Sequence, residues 1–109
     1  MAVEIFKNRD NDFTVRLLNK TTGDPLDLST ATAITIELPN ADGSTLELAL
    51  ALGITLVGTG VLGKFQVSVT EAQSALLAEV TNETICGSYT IASKKRGYRV
   101  LNSLSIITC

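Results

Sequence analysis

From position 46 to position 56 every second residue is a large aliphatic: Leu46, Leu48, Leu50, Leu52, Ile54 and Leu56. Between them stand Glu47, Ala49, Ala51, Gly53 and Thr55, so one face of an extended chain is a hydrocarbon row and the other is nearly bare. A period of two marks a β-strand with one face buried, whereas on a helix the same leucines would spread around the axis. The row needs a second apolar layer to cover it, which points to a β-sandwich or barrel. Gly53 interrupts the ribbon, and a glycine inside a strand marks a bend where the strand leaves its sheet or turns along an edge. The aliphatic row is expected in the core. The bare row, Ala49, Ala51 and Gly53, leaves room for another backbone to approach.

The same period recurs along the chain, with turn signals between the segments. Residues 3–6 suit a short first strand and residues 12–18 a clearer one, with Phe13, Val15 and Leu17 on one face. Gly23 and Pro25 mark the turn that follows. Ile34, Ile36 and Leu38 alternate before Pro39 and a polar turn, and Phe65, Val67 and Val69 alternate again. Two last strands, 85–93 and 98–107, are joined by a hairpin turn at Lys94, Lys95, Arg96 and Gly97. One helix is expected around residues 70–79, because Thr70 and Gln73 have capping-box spacing and Ala72, Leu76 and Val80 fall on one face. About seven strands and one short helix in a crossover make the fold all-β, an immunoglobulin-like β-sandwich. With 109 residues and no linker, repeat or low-complexity tract, the chain reads as a single domain, 1–109.

A net charge of −2 with 18% charged residues favours neither nucleic-acid binding nor a disordered, solvating role. It also leaves a surface less charged than that of an average soluble domain, part of which a partner can cover. The amino terminus lacks a signal-peptide core, and no apolar run reaches membrane-spanning length, so synthesis in the cytoplasm without membrane insertion is expected. The chain has no histidine, which removes the usual zinc and Ser/His or Cys/His arrangements, and no Ser-x-x-Lys spacing supplies a lysine base. The expectation is no catalytic residue, no metal, no cofactor and no small-molecule substrate.

Gly58-Thr59-Gly60-Val61-Leu62-Gly63 has dinucleotide-loop spacing, but that motif needs a helix after its third glycine, and Lys64 to Val69 alternate with a period of two. A flexible loop between strands is the reading that survives. Asp10 with Asp12, and Asp24 with Asp27, do not reproduce a calcium loop, and the second pair flanks a turn where Asp bonds the local backbone. Lys94, Lys95, Arg96 and Arg99 gather four of the nine basic residues around Tyr98 at one hairpin tip. They can contact phosphate, an anionic sugar or an acidic neighbour; the plainer reading is a solvated turn kept soluble by charge. Tyr89, opening the penultimate strand, is expected as a buried structural tyrosine of the tyrosine-corner type. With Ser93 facing Tyr98 across the turn, Cys86 faces Ser105 and Cys109 lies about 13 Å further along, beyond the ~7 Å that a disulfide spans, so both thiols are expected free.

Four stretches, in order, resemble small immunoglobulin-like modules of tailed-bacteriophage virion proteins, above all the amino-terminal domain family of the phage baseplate upper protein. They are TGDPLDLS at 22–29, GIT at 53–55, GKF at 63–65 and TEAQSAL at 70–76. The resemblance runs through nearly the whole chain from Asp12 onward. It implies a non-enzymatic structural protein of the virion, on the tail or baseplate, at the neck or decorating the capsid surface. Its partners would be other copies of itself and neighbouring virion proteins. Ala49, Ala51 and Gly53, together with Lys94, Lys95, Arg96, Tyr98 and Arg99, are the surfaces expected to make those contacts. The alternative is a carbohydrate-binding or adhesion module at the host surface, with Tyr98 as the ring offered to a sugar.

Overall fold

The structure, a computed structural model, describes residues 3–19 and 21–108. It is all-β with one short helix: β1 (Val3–Phe6), β2 (Asn11–Arg16), β3 (Ala33–Pro39), β4 (Thr45–Leu50), β5 (Gly53–Leu56), β6 (Lys64–Val69), α1 (Glu71–Ala75), β7 (Val80–Ile91) and β8 (Lys94–Ile107). Eight strands stand where about seven are expected, because the aliphatic ribbon is two strands rather than one.

The strand order is β1-β8-β7-β3-β4-β5-β6-β2. The sheet folds over on itself at the join between β4 and β5, where only Ala49↔Gly53 and Leu50↔Ile54 pair, in parallel. Phe65 of β6 thereby packs edge-on against Tyr98 of β8, with ring centroids 6.2 Å apart, although four strands separate β6 from β8 in the order. Ile5, Leu28, Ile34, Ile36, Ile85 and Leu104 fill the interior around them.

The fold-over has a local cause. Ala49 and Leu52 exchange backbone hydrogen bonds across a tight turn, Ala51 adopts φ 69° and Gly53 adopts φ 100°, and the chain then resumes in its original direction. The φ of Gly53 is one that only glycine takes without strain, so the glycine lets the chain leave the turn at Ala51 and enter β5. The turn also breaks the aliphatic row. Leu48 and Ile54 are buried, but Leu52, expected in the core, is 74% exposed.

The two ends of the order, β1 and β2, are joined by the side chain of Asn11. Asn11 Oδ1 accepts from the Phe6 N–H at 3.0 Å and Nδ2 donates to the Phe6 carbonyl at 2.9 Å. The amide satisfies both backbone groups of Phe6 as a neighbouring peptide unit would.

Thr70 caps α1 as its spacing predicts, with its hydroxyl accepting from the Gln73 N–H and its own N–H donating to Gln73 Oε1. The helix is shorter than expected. A five-residue helix does not carry a stripe from Ala72 to Val80, so Leu76 is 66% exposed while Ser74 and Leu77 are buried. The Ser74 hydroxyl accepts from the Arg9 N–H at 3.1 Å and lies 2.8 Å from the Arg9 carbonyl, which ties the β1–β2 turn to α1.

The β7–β8 hairpin turns at Ala92 and Ser93, not at Lys94 to Gly97. Both central residues have positive φ, 53° and 64°, the geometry of a type I′ turn, and Ile91↔Lys94 is the first strand pair. Lys94, Lys95, Arg96 and Gly97 are therefore strand residues. Tyr98 faces Gly87 rather than Ser93, and Cys86 faces Arg99 rather than Ser105. Cys86 is a free thiol, and Cys109 lies outside the described residues.

The glycine-rich stretch is a loop that leads into β6, with Gly60 and Gly63 buried while Gly58, Thr59, Val61 and Leu62 are exposed. Gly60 accepts from the Leu28 N–H and Gly63 from the Leu17 N–H, and a Cβ at Gly63 would run into the carbonyl oxygens of Leu17 and Leu26.

Candidate functional site

β8 is the longest strand, and only part of its outer edge is covered. β1 pairs with it from Val3↔Leu104 to Phe6↔Ile107, while among the described residues no strand pairs with that edge over 94–100. β2 ends the strand order, and past Arg16 the chain continues through Leu17 to Leu18, which bridges to Pro25. Between these two edges lies an open cleft of about 1020 Å³.

Its lining identifies it as a gap between edges. Residues 96–100 and 16–19 line it as two uninterrupted runs. A hollow over the face of a sheet touches alternate residues of a strand, because successive side chains point to opposite faces; a gap beside a strand touches all of them. Leu17, Leu26 and Val100 are its apolar lining residues, and Tyr89 lines it as well.

Arg16, Arg96 and Arg99 line the cleft, and among the described residues no carboxylate does. Each arginine is exposed, as are Lys94 and Lys95. Four of the basic residues singled out in the sequence thus lie along one strand, and the fold adds Arg16 from the opposite edge. Arg16 carries no sequence signal, since it reads as one more outward residue between the buried Val15 and Leu17.

Tyr98 is not a surface contact. It is 8% exposed, its hydroxyl donates to the Thr35 carbonyl at 2.7 Å, and its ring meets Phe65. Gly87, directly opposite, makes the space: a Cβ there would collide with the Thr35 carbonyl oxygen and the Tyr98 hydroxyl. Burial pushes the Tyr98 hydroxyl well above the ordinary phenol range, and the charges of Cys86 and Glu37 act in the same direction. Tyr98 is therefore the structural tyrosine, while Tyr89, expected in that role, is half-buried at the cleft wall. The register explains the exchange, since the strand pairing sets Tyr98 against a glycine and Tyr89 against Arg96.

The bare row does not form one face. Ala51 sits in the tight turn, exposed, and Ala49 is paired within the sheet. A Cβ on Gly53 would lie 2.9 Å from Leu48 Cδ2 and 3.3 Å from the Ser68 carbonyl oxygen, so the protein's own β4 and β6 take the room left there. None of the three residues lines the cleft.

Asp10 and Asp12 bond across the fold and Asp27 bonds within its own turn. Asp10 accepts from the Glu71 N–H at 2.7 Å and Asp12 from the Ser68 hydroxyl at 2.6 Å. Asp27 accepts from the Ser29 N–H, and its bonding with Ser29 holds its carboxyl below the usual range. No group of His, Cys, Asp or Glu suited to a metal ion occurs among the described residues. No protein-family model and no curated protein matches this chain.

Proposed function

We propose that this protein is a non-enzymatic structural module of a tailed-bacteriophage virion, on the tail or baseplate, at the neck or on the capsid surface. It acts through contacts with copies of itself and with neighbouring virion proteins. The observation that carries the reading is the cleft between β2 and β8, where backbone edges and arginines face solvent together. Strand edges offer a row of N–H and C=O groups, which suits another polypeptide better than a small molecule. The ordered stretches from Thr22 to Leu76 that resemble phage baseplate modules support the same reading.

Purified phage particles probed by mass spectrometry, with light scattering on the isolated protein, test it. The expected result is a stoichiometric particle component that self-associates; a strict monomer missing from particles overturns the proposal. The sugar-binding alternative now rests on Tyr89, since Tyr98 is buried. Saturable glycan binding that is lost in Tyr89→Ala would favour it.

A further inference from the structure

We propose that the cleft between β2 and β8 takes up an extended acidic segment of a neighbouring protein as an added strand. The segment would pair with the free edge of β8 over 96–100 and lie between Arg16 and Arg99. This names the partner surface of the structural module proposed above and rests on that reading for the source of the segment.

The edge comes first. Within a strand, successive residues direct their N–H and C=O groups to opposite sides, so part of the 96–100 backbone points away from β7. β1 pairs with β8 only from Leu104 onward and leaves these groups uncovered, save that the Val100 carbonyl accepts from the Ser103 hydroxyl at 3.0 Å. An added strand would follow the line that β1 begins, in the space between β8 and β2. Tracing the pairings from β8 through β7, β3, β4, β5 and β6 to β2 gives five antiparallel steps and one parallel step, so β2 runs opposite to β8. An added strand is therefore antiparallel to one flank and parallel to the other, and antiparallel pairing with β8 sets it parallel to β2.

Its side chains must alternate to match. Arg16 lies between the buried Val15 and Leu17, and Arg99 between the buried Tyr98 and the half-buried Val100, so both arginines are on the outer parity of their strands. A strand between them would have outward carboxylates within reach of a guanidinium on each side, while its inward residues would cover Leu26, Tyr89 and Val100. Arg96 stands toward the hairpin end of the gap. With three arginines and no carboxylate among the described residues of the lining, the charge selects an acidic occupant.

Charged residues on a strand edge also serve to keep other strands away. That role predicts that no strand binds. Fluorescence anisotropy on the intact protein distinguishes the two, using a labelled, capped peptide of about seven residues that alternates glutamate with valine, near the common strand length. The expected result is saturable binding that weakens at least about tenfold in Arg16→Glu or Arg99→Glu, or when lysine replaces glutamate in the peptide. Both arginines are exposed, and far-UV circular dichroism checks that the variants fold. N-methylation of one alternate set of peptide amides should abolish binding and methylation of the other set should spare it, while amide exchange slows over 96–100.

Absence of binding overturns the proposal. So does binding that ignores N-methylation and is matched by heparin, which would make the cleft a general anion patch. Dimerisation that depends on Arg16 and Arg99 but resists the peptide would assign the gap to a second copy and overturn it as well. Failure here leaves the particle test untouched. Absence from particles with peptide binding intact would remove the virion reading alone.

Discussion

Tyr98 and Gly87 work as one unit. The ring fits because the residue across the strand pair has no side chain, and its hydroxyl then reaches the Thr35 carbonyl on the next strand. Gly87→Ala should destabilise the protein by about 1–3 kcal/mol, since ring, carbonyl and backbone must all give way. Gly97→Ala is the control, because a Cβ there meets only the Gly87 carbonyl oxygen, at 3.8 Å. Urea unfolding of both variants checks the contrast. Tyr98→Phe should cost about 1 kcal/mol through the lost hydrogen bond. The pH dependence has a definite sign. The folded-state pKa of Tyr98 is raised, so the unfolded chain loses this proton first, at about pH 10. The stability tied to Tyr98 is fully present below that pH and falls as pH rises above it. Urea midpoints measured across the alkaline range should decline less steeply in Tyr98→Phe than in the parent.

At the scale of elements, most strands are legible because burial on one face imposes a period of two, and β3 and β6 follow it without exception. The cap of α1 is legible as well, since Thr70 and Gln73 bond each other locally and need nothing from the rest of the fold. The β7–β8 turn is not. Ala92 and Ser93 carry no turn signature, yet both take left-handed conformations that Asn and Gly adopt more easily. The double substitution Ala92→Asn with Ser93→Gly should therefore stabilise the protein by roughly 1 kcal/mol, read as a raised unfolding midpoint with the cleft unchanged. Leu52 was illegible for a related reason. It keeps the parity of the aliphatic row, but the turn at Ala51 rotates it into solvent.

At the scale of the molecule, the sheet is held together at two weak places: the two-pair join of β4 to β5, and the Asn11 amide between β1 and β2. Asn11→Ala removes two bonds to Phe6 and should cost about 1–3 kcal/mol. Hydrogen exchange should show the loss concentrated at the amides of β1 and of residues 104–107, with the β3–β4 pair little affected. The cleft belongs to this scale too. It exists because β1 is short and β8 is long, and neither length follows from the residues that line the gap.

The sequence by itself determined the all-β class, the helix cap, the bend at Gly53 and the clustering of basic residues on one segment. Each follows from local chemistry or from which face of a strand is apolar. The tertiary structure alone decided which tyrosine is buried, that Arg16 joins the basic cluster, and that an open edge lies between them. The physical reason is the pairing register. Tyr98 pairs with Gly87 instead of Ser93, six positions away, and a shift by an even number leaves every inward side chain inward. Alternation cannot distinguish those registers. The fit of a ring over a glycine, and the reach of β1 along β8, select one of them.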